Sequence, residues 1–167
     1  ALGLNRKRQS KVMATIVHIL IWGGILTFPS FVILMASWLI DPKMWGTDLG
    51  APEEYQNRIG GLLVVLLLFA VQLPIMAYAV LYFEQIDPNV GFGFALVLTY
   101  AIFQIFNLAD LILFDWLVYL KLKPAFMRPD YLPVADDLAK HIEDFRNGLI
   151  IGLLPALIST SLWYFFL

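Results

Sequence analysis

The sequence predicts an all-α integral membrane protein with four transmembrane helices and an amphipathic interfacial helix before the last. Three observations lead there. Of its 167 residues, 60% are hydrophobic and 14% charged, against roughly 45–50% apolar usage in soluble domains, and mean hydropathy is +0.78. The charges gather between apolar runs of the length that crosses a hydrocarbon layer about 30 Å thick. Aromatic residues cluster at the ends of those runs: Trp38, Trp45, Tyr55, Trp116, Tyr119 and Tyr131 on the side of the longer loops, and Tyr78, Tyr82, Trp163 and Tyr164 on the side of the short turn. Two such groups are what the two faces of a bilayer select.

The first helix is expected at about 12–40. Arg6, Lys7, Arg8 and Lys11 precede it, and the run is too long for the roughly 7–15-residue core of a cleaved signal, so it reads as a retained anchor. Its length demands a tilt, a kink near Gly23-Gly24 or Pro29, or a start outside the hydrocarbon. Residues 41–58 form a polar loop broken by Pro and Gly. The second helix, about 60–83, is apolar except for Gln72 and carries Pro74; the Gln72 amide is expected to help satisfy the carbonyl that Pro74 frees. The turn E-Q-I-D-P-N is too short to cross back, so the third helix, about 90–121, runs antiparallel beside the second.

Three prolines, at 124, 129 and 133, then interrupt the chain. Val134, Leu138, Ile142 and Phe145 recur at helical spacing with charges on the other faces, which predicts the interfacial helix at about 134–146 with its apolar stripe inward. Asn147-Gly148 is read as a turn into the last helix, about 149–167. All of this makes a single membrane domain over 1–167. Basic residues give no decision on orientation, with four before the first helix against seven in the long loops.

Polar residues inside the third helix carry the functional question. At about 100° per residue, Tyr100, Gln104, Asn107 and Asp115 fall within an arc of roughly 80°, with Asp110 about 60° beyond Asn107. Such residues face a bundle interior or water rather than lipid. Two readings follow: interhelical hydrogen bonding, with Asp115 at the headgroup boundary near Lys121, or a proton or ion path in which Asp110 titrates and Gln72 assists. A relay usually needs a second deep ionisable group, of which this chain offers few, and that favours the first. His18 is the one histidine in an apolar run, and as neutral imidazole it would serve haem iron or a chlorophyll-type magnesium; a hydrogen-bonded packing histidine is the competing reading. His141 is expected in solvent, paired with Asp137 one turn earlier.

Cysteine is absent, which removes disulfides, thiolate nucleophiles and cysteine-held metals. No phosphate loop, His-Glu-x-x-His or nucleophile elbow occurs, and the basic tail reads as a lipid or topology signal, not a nucleic-acid surface. No catalysis is expected. The leading expectation is a noncatalytic subunit in lipid that packs against other membrane subunits of a larger complex, plausibly an energy-converting or photosynthetic one.

The stretch N-L-A-D-L-I-L-F-D-W, Asn107 to Trp116, resembles a segment of small four-helix bacterial integral membrane proteins that carry Asn-Leu-x-Asp-Leu followed by Asp-Trp. That resemblance implies the architecture and a prokaryotic inner or plasma membrane, and no chemistry. Ala14 and His18, with Trp22 beyond, are similar to the Ala-x-x-x-His pattern of pigment-binding helices in light-harvesting polypeptides, which implies a pigment ligand at His18; those polypeptides cross once, unlike this chain.

Overall fold

The computed structural model describes residues 2–47, 49–132 and 138–167, with side chains from residue 9 onward. The described residues are helical and contain no strand. Four stretches are long and apolar enough to cross a membrane: Gln9–Ile40, Arg58–Phe83, Phe92–Leu122 and Leu138–Phe166. The helices are α1 (Leu2–Ile40), α2 (Arg58–Phe83), α3 (Phe92–Ala109), α4 (Leu138–Ile151) and α5 (Leu153–Phe166). α1 packs on α2 and α3, and α5 packs on the same two. The ring order is therefore α1, α2, α5, α3.

α1 begins ten residues before the expected start and includes the basic tail, because Arg and Lys are good helix formers outside an apolar layer. The loop after it is tightly organised. Asp41 accepts from the Lys43 amide at 3.0 Å and from Asn57 Nδ2 at 2.8 Å. Asn57 in turn caps α2 by accepting from the Gly60 amide at 2.8 Å, which satisfies one of the free donors of a helix start. One carboxylate thus ties the end of α1 to the beginning of α2.

The third membrane-length helix differs from the uniform α-helix expected. After Ala109 the winding changes, and Asp110–Leu122 is π-helical, ending with Lys123 N–H donating to Val118 O, five residues back, at 3.0 Å. Lys123 closes it in the left-handed region at φ 48°. π-Geometry usually enters helices as a single turn, often at functional sites; here it runs for thirteen residues.

The C-terminal region is also rearranged relative to expectation. Residues 133–137, including Val134 and Asp137, lie outside the described part. There is no turn at Asn147-Gly148: α4 runs through them, and the interruption falls at Gly152. Pro155 explains the place, since it has no N–H to offer the Ile151 carbonyl. On α4, Leu138 and Ile142 of the expected apolar stripe are exposed, whereas His141 is buried.

Candidate functional site

Polar residues of α3 divide into two groups. The first three bond to the backbone of α4. Tyr100 Oη donates to Leu149 O at 3.0 Å, Gln104 Nε2 to Gly148 O at 3.5 Å, and Asn107 Nδ2 to Phe145 O at 3.1 Å and to Gln104 Oε1 at 3.1 Å. The Gly148 carbonyl already accepts from the Gly152 amide at 2.9 Å and takes the Gln104 bond on its second lone pair. Close approach is possible because α4 presents Gly148 and Gly152, four apart. A Cβ on Gly152 would lie 2.6 Å from Phe103 and 2.7 Å from the Gln104 amide, and one on Gly148 would overlap the Asn107 amide. Small residues at this spacing let helix backbones meet. N-G-L-I-I-G displays the pattern openly, yet the turn reading of Asn147-Gly148 hid it.

Gln72 does not belong to that face. It is buried in α2 and donates Nε2 to Ser30 Oγ of α1 at 3.0 Å, Ser30 in turn donating to Leu26 O at 2.8 Å. The expected coupling to Pro74 is replaced by an interhelical bond beside Pro29. His18 is likewise structural in its visible contacts: Nε2 lies 2.9 Å from Ala79 O, and Trp22, Tyr82 and Phe83 surround the ring. As donor to that carbonyl, Nε2 leaves only Nδ1 for a haem iron or pigment metal. Among the described residues, no group of three acidic or histidine side chains is placed to hold a metal ion.

Asp110 and Asp115 behave differently from the other polar residues of this helix. On an α-helix they would stand about 140° apart. In the π-helix residues five apart lie one above the other, so the two carboxylates share a side, as do the buried rings of Phe114 and Tyr119. Asp115 pairs elsewhere than with Lys121, whose ammonium lies over Trp116. Its Oδ1 is 3.2 Å from Nδ1 of His141 on α4. His141 is only 7% exposed, which corrects the solvated placement expected from sequence.

These groups line a cavity of about 380 Å³ between the end of α1, the π-helix and α4. Trp38 and Trp45 stack 5.7 Å apart and nearly parallel on one side, and Tyr119 meets the His141 ring edge-on at 5.5 Å. The Arg128 guanidinium covers Tyr119 at 5.0 Å and donates to its carbonyl oxygen at 2.9 Å. Lys140 reaches Asp144, 3.3 Å away, at the rim. A second, more apolar cleft of about 460 Å³ runs between α1, α2 and α3, and Leu34, Trp45 and Asp110 are common to both.

No family model, curated protein or solved structure matches the chain. What the site can do rests on its own arrangement. A carboxylate–imidazole pair can hold or pass a proton and can bind a cation or a hydrogen-bond donor; two adjoining spaces within the usual 300–1,000 Å³ of ligand pockets can seat a molecule that is polar at one end and apolar at the other.

Proposed function

We propose that the chain is a noncatalytic integral membrane subunit that works by binding, holding an amphiphile at the end of the bundle formed by its long loops. The observation that carries this reading is the adjacency of a polar cavity and an apolar cleft across Asp110. Binding is favoured over conduction by the opposite half of the bundle, where Leu26, Met76, Val80, Phe83, Leu98 and Ile102 are packed at 0–1% exposure. A transported ion would have to cross that layer, where the buried polar groups among the described residues are bonded to one another or to backbone: His18 to the Ala79 carbonyl, Gln72 to Ser30, and Thr99 to Thr160, with Ser159 beside them. Tyr100, Gln104 and Asn107 act in this reading as interhelical fasteners, not as a relay.

Mild-detergent purification followed by organic extraction and mass spectrometry tests the proposal. A stoichiometric amphiphile is expected, and Asp110→Asn should lower its occupancy. Proton or cation flux in proteoliposomes that Asp110→Asn abolishes would transfer the site to the transport reading. The same preparation tests whether another membrane chain co-purifies, as a subunit of a larger complex requires.

A further inference from the structure

α4 carries charge at a depth where the neighbouring helix presents apolar side chains to lipid. Asn107 stands midway along the membrane-length stretch Phe92–Leu122 and holds Phe145 O of α4 at 3.1 Å. Exposed apolar residues of that stretch lie on both sides of this level, Phe94 and Val97 towards the turn, and Ile112, Leu113 and Leu117 towards the loops. Arg146, next to Phe145, and Glu143, less than one turn away, are therefore held deep in the layer, and both are exposed. Lys140 pairs with Asp144 and His141 with Asp115, whereas the side chains of Glu143 and Arg146 have no hydrogen-bond or ion-pair partner among the described residues. Charged side chains at such depth face protein or water and pair with one another; lipid alone is a costly surrounding.

The arrangement of the two charges says what covers them. An open groove of about 500 Å³ follows this side of α4, along Ala139, Ile142, Glu143, Arg146, Asn147 and Ile150. At about 100° per residue, Glu143 stands about 20° to one side of Ile150 and Arg146 about 40° to the other. When two parallel helices are related by a two-fold axis, each flank of one meets the opposite flank of its copy. Opposite charges on opposite flanks are thus self-complementary, and Glu143 of each copy meets Arg146 of the other. Their offset along the helix, about 4.5 Å at 1.5 Å per residue, is closed by the arginine itself. Long helical side chains point back towards the helix N-terminus, which carries the Arg146 guanidinium towards the level of Glu143. A guanidinium and a carboxylate that meet out of water form the stronger, charge-assisted kind of hydrogen bond.

We propose that the outward face of α4 is the interface of a two-fold dimer, formed with a second copy of this chain in the same orientation in the bilayer and closed by reciprocal Glu143–Arg146 ion pairs on either side of Ile150. The interface is independent of what the cavities hold.

Energy transfer between full-length chains diluted in phosphatidylcholine vesicles tests this, with donor and acceptor dyes attached through Glu54→Cys in the loop after α1; the chain has no cysteine of its own. With the α4 face unaltered, the chains should dimerise. Glu143→Arg or Arg146→Glu alone sets like charges across the axis, and each should weaken dimerisation at least about tenfold, since juxtaposed like charges oppose association strongly. Mixing the Glu143→Arg chain with the Arg146→Glu chain should restore transfer between them, a result that pairing within one chain cannot give. Ile150→Cys, with both charges kept, should be joined to its copy by a short bis-maleimide, and Leu63→Cys on the exposed side of α2 should not. That cross-link keeps the proposal testable should the charge variants misfold. Chains that stay monomeric with α4 unaltered, single variants that dimerise undiminished, folded variants that stay apart when mixed, or an Ile150→Cys chain that does not cross-link would each overturn the proposal. A different membrane chain that co-purifies with the wild type and is lost in Arg146→Glu would assign the face to that chain and overturn the second copy.

Discussion

At the turn end of the bundle, Met76, Val80, Leu98 and Ile102 close against Leu26 and Phe83, and the ring is completed by small residues such as Ala79 and Ala95 at 0% exposure. At the loop end the core is made of Leu34, Trp38, Phe114 and Tyr119 with Met127 and Leu132 from a connecting segment, and two cavities open among them. The difference follows from residue shape. Alanine and branched aliphatic side chains let helices meet and interdigitate at native density. Rings propped by loops and by π-helical winding hold helices apart. The space at the loop end opens among core residues, whereas the cleft of about 430 Å³ at the turn end lies along α1 beside His18, Trp22 and Tyr82 and leaves the layer of Met76, Val80 and Leu98 filled.

The sharpest way to break that contrast is to treat the halves alike. Leu98→Ala in the closed half should cost about 2–5 kcal/mol, a transfer loss plus an unfilled hole, read as a fall in unfolding midpoint in detergent. Val65→Phe enlarges a residue on the open cleft and should cost well under the roughly 1–3 kcal/mol of overpacking a filled core. Equal destabilisation by the two would remove the distinction between a sealed and an open half.

Next in size is the seam that joins α3 to α4. Gly152→Leu drives a side chain into Phe103 and Gln104 and should cost about 1–3 kcal/mol, read as a fall in unfolding midpoint in detergent. Asn107→Ala removes two hydrogen bonds but leaves the glycines in place. It should cost less, about 0.6 kcal/mol per bond and up to about 1.7. If Asn107→Ala proved the more damaging of the two, hydrogen bonds rather than backbone proximity would hold the seam.

Much of the closed half was legible in the sequence, and much of the site was not, for identifiable reasons. The span of α2 was readable to within two residues because Gly60-to-Phe83 is an apolar run interrupted only at Gln72 and Pro74 and bounded by polar residues. The face shared by Tyr100, Gln104 and Asn107 followed from 3.6-residue periodicity, which holds through Ala109. It fails at Asp110, where the period lengthens, so Asp115 was grouped with the face of Tyr100, Gln104 and Asn107 and its contact with His141 was not foreseen. The five-residue spacing of Asp110 with Asp115, and of Phe114 with Tyr119, was the available signal. His141 was misplaced because the charges flanking it on α4 imply water, whereas its burial comes from Tyr119 and Asp115, more than twenty residues earlier in the chain. Periodicity within one helix carries no information about that contact.

The smallest predicted effect lies at the far end of the closed half, where Lys11 of α1 pairs with Asp87 in the turn between α2 and α3. The Lys11 ammonium hydrogen-bonded to it, with help from the Asn89 amide, holds the Asp87 carboxyl below the usual carboxylate range. A depressed carboxylate stabilises the fold only while ionised. Its contribution is complete above the ordinary aspartate value near pH 3.9 and disappears as pH falls through the lowered folded-state value. Because Lys11 is exposed and Asp87 only part-buried, salt screens the pair. Asp87→Asn should therefore lower the unfolding midpoint slightly at pH 7, less so in high salt, and flatten the acid limb of its pH profile by the same small amount, the two proteins converging in acid. A large loss at neutral pH would mean that this latch, rather than the packed layer of Leu98 and Ile102, keeps the closed half shut.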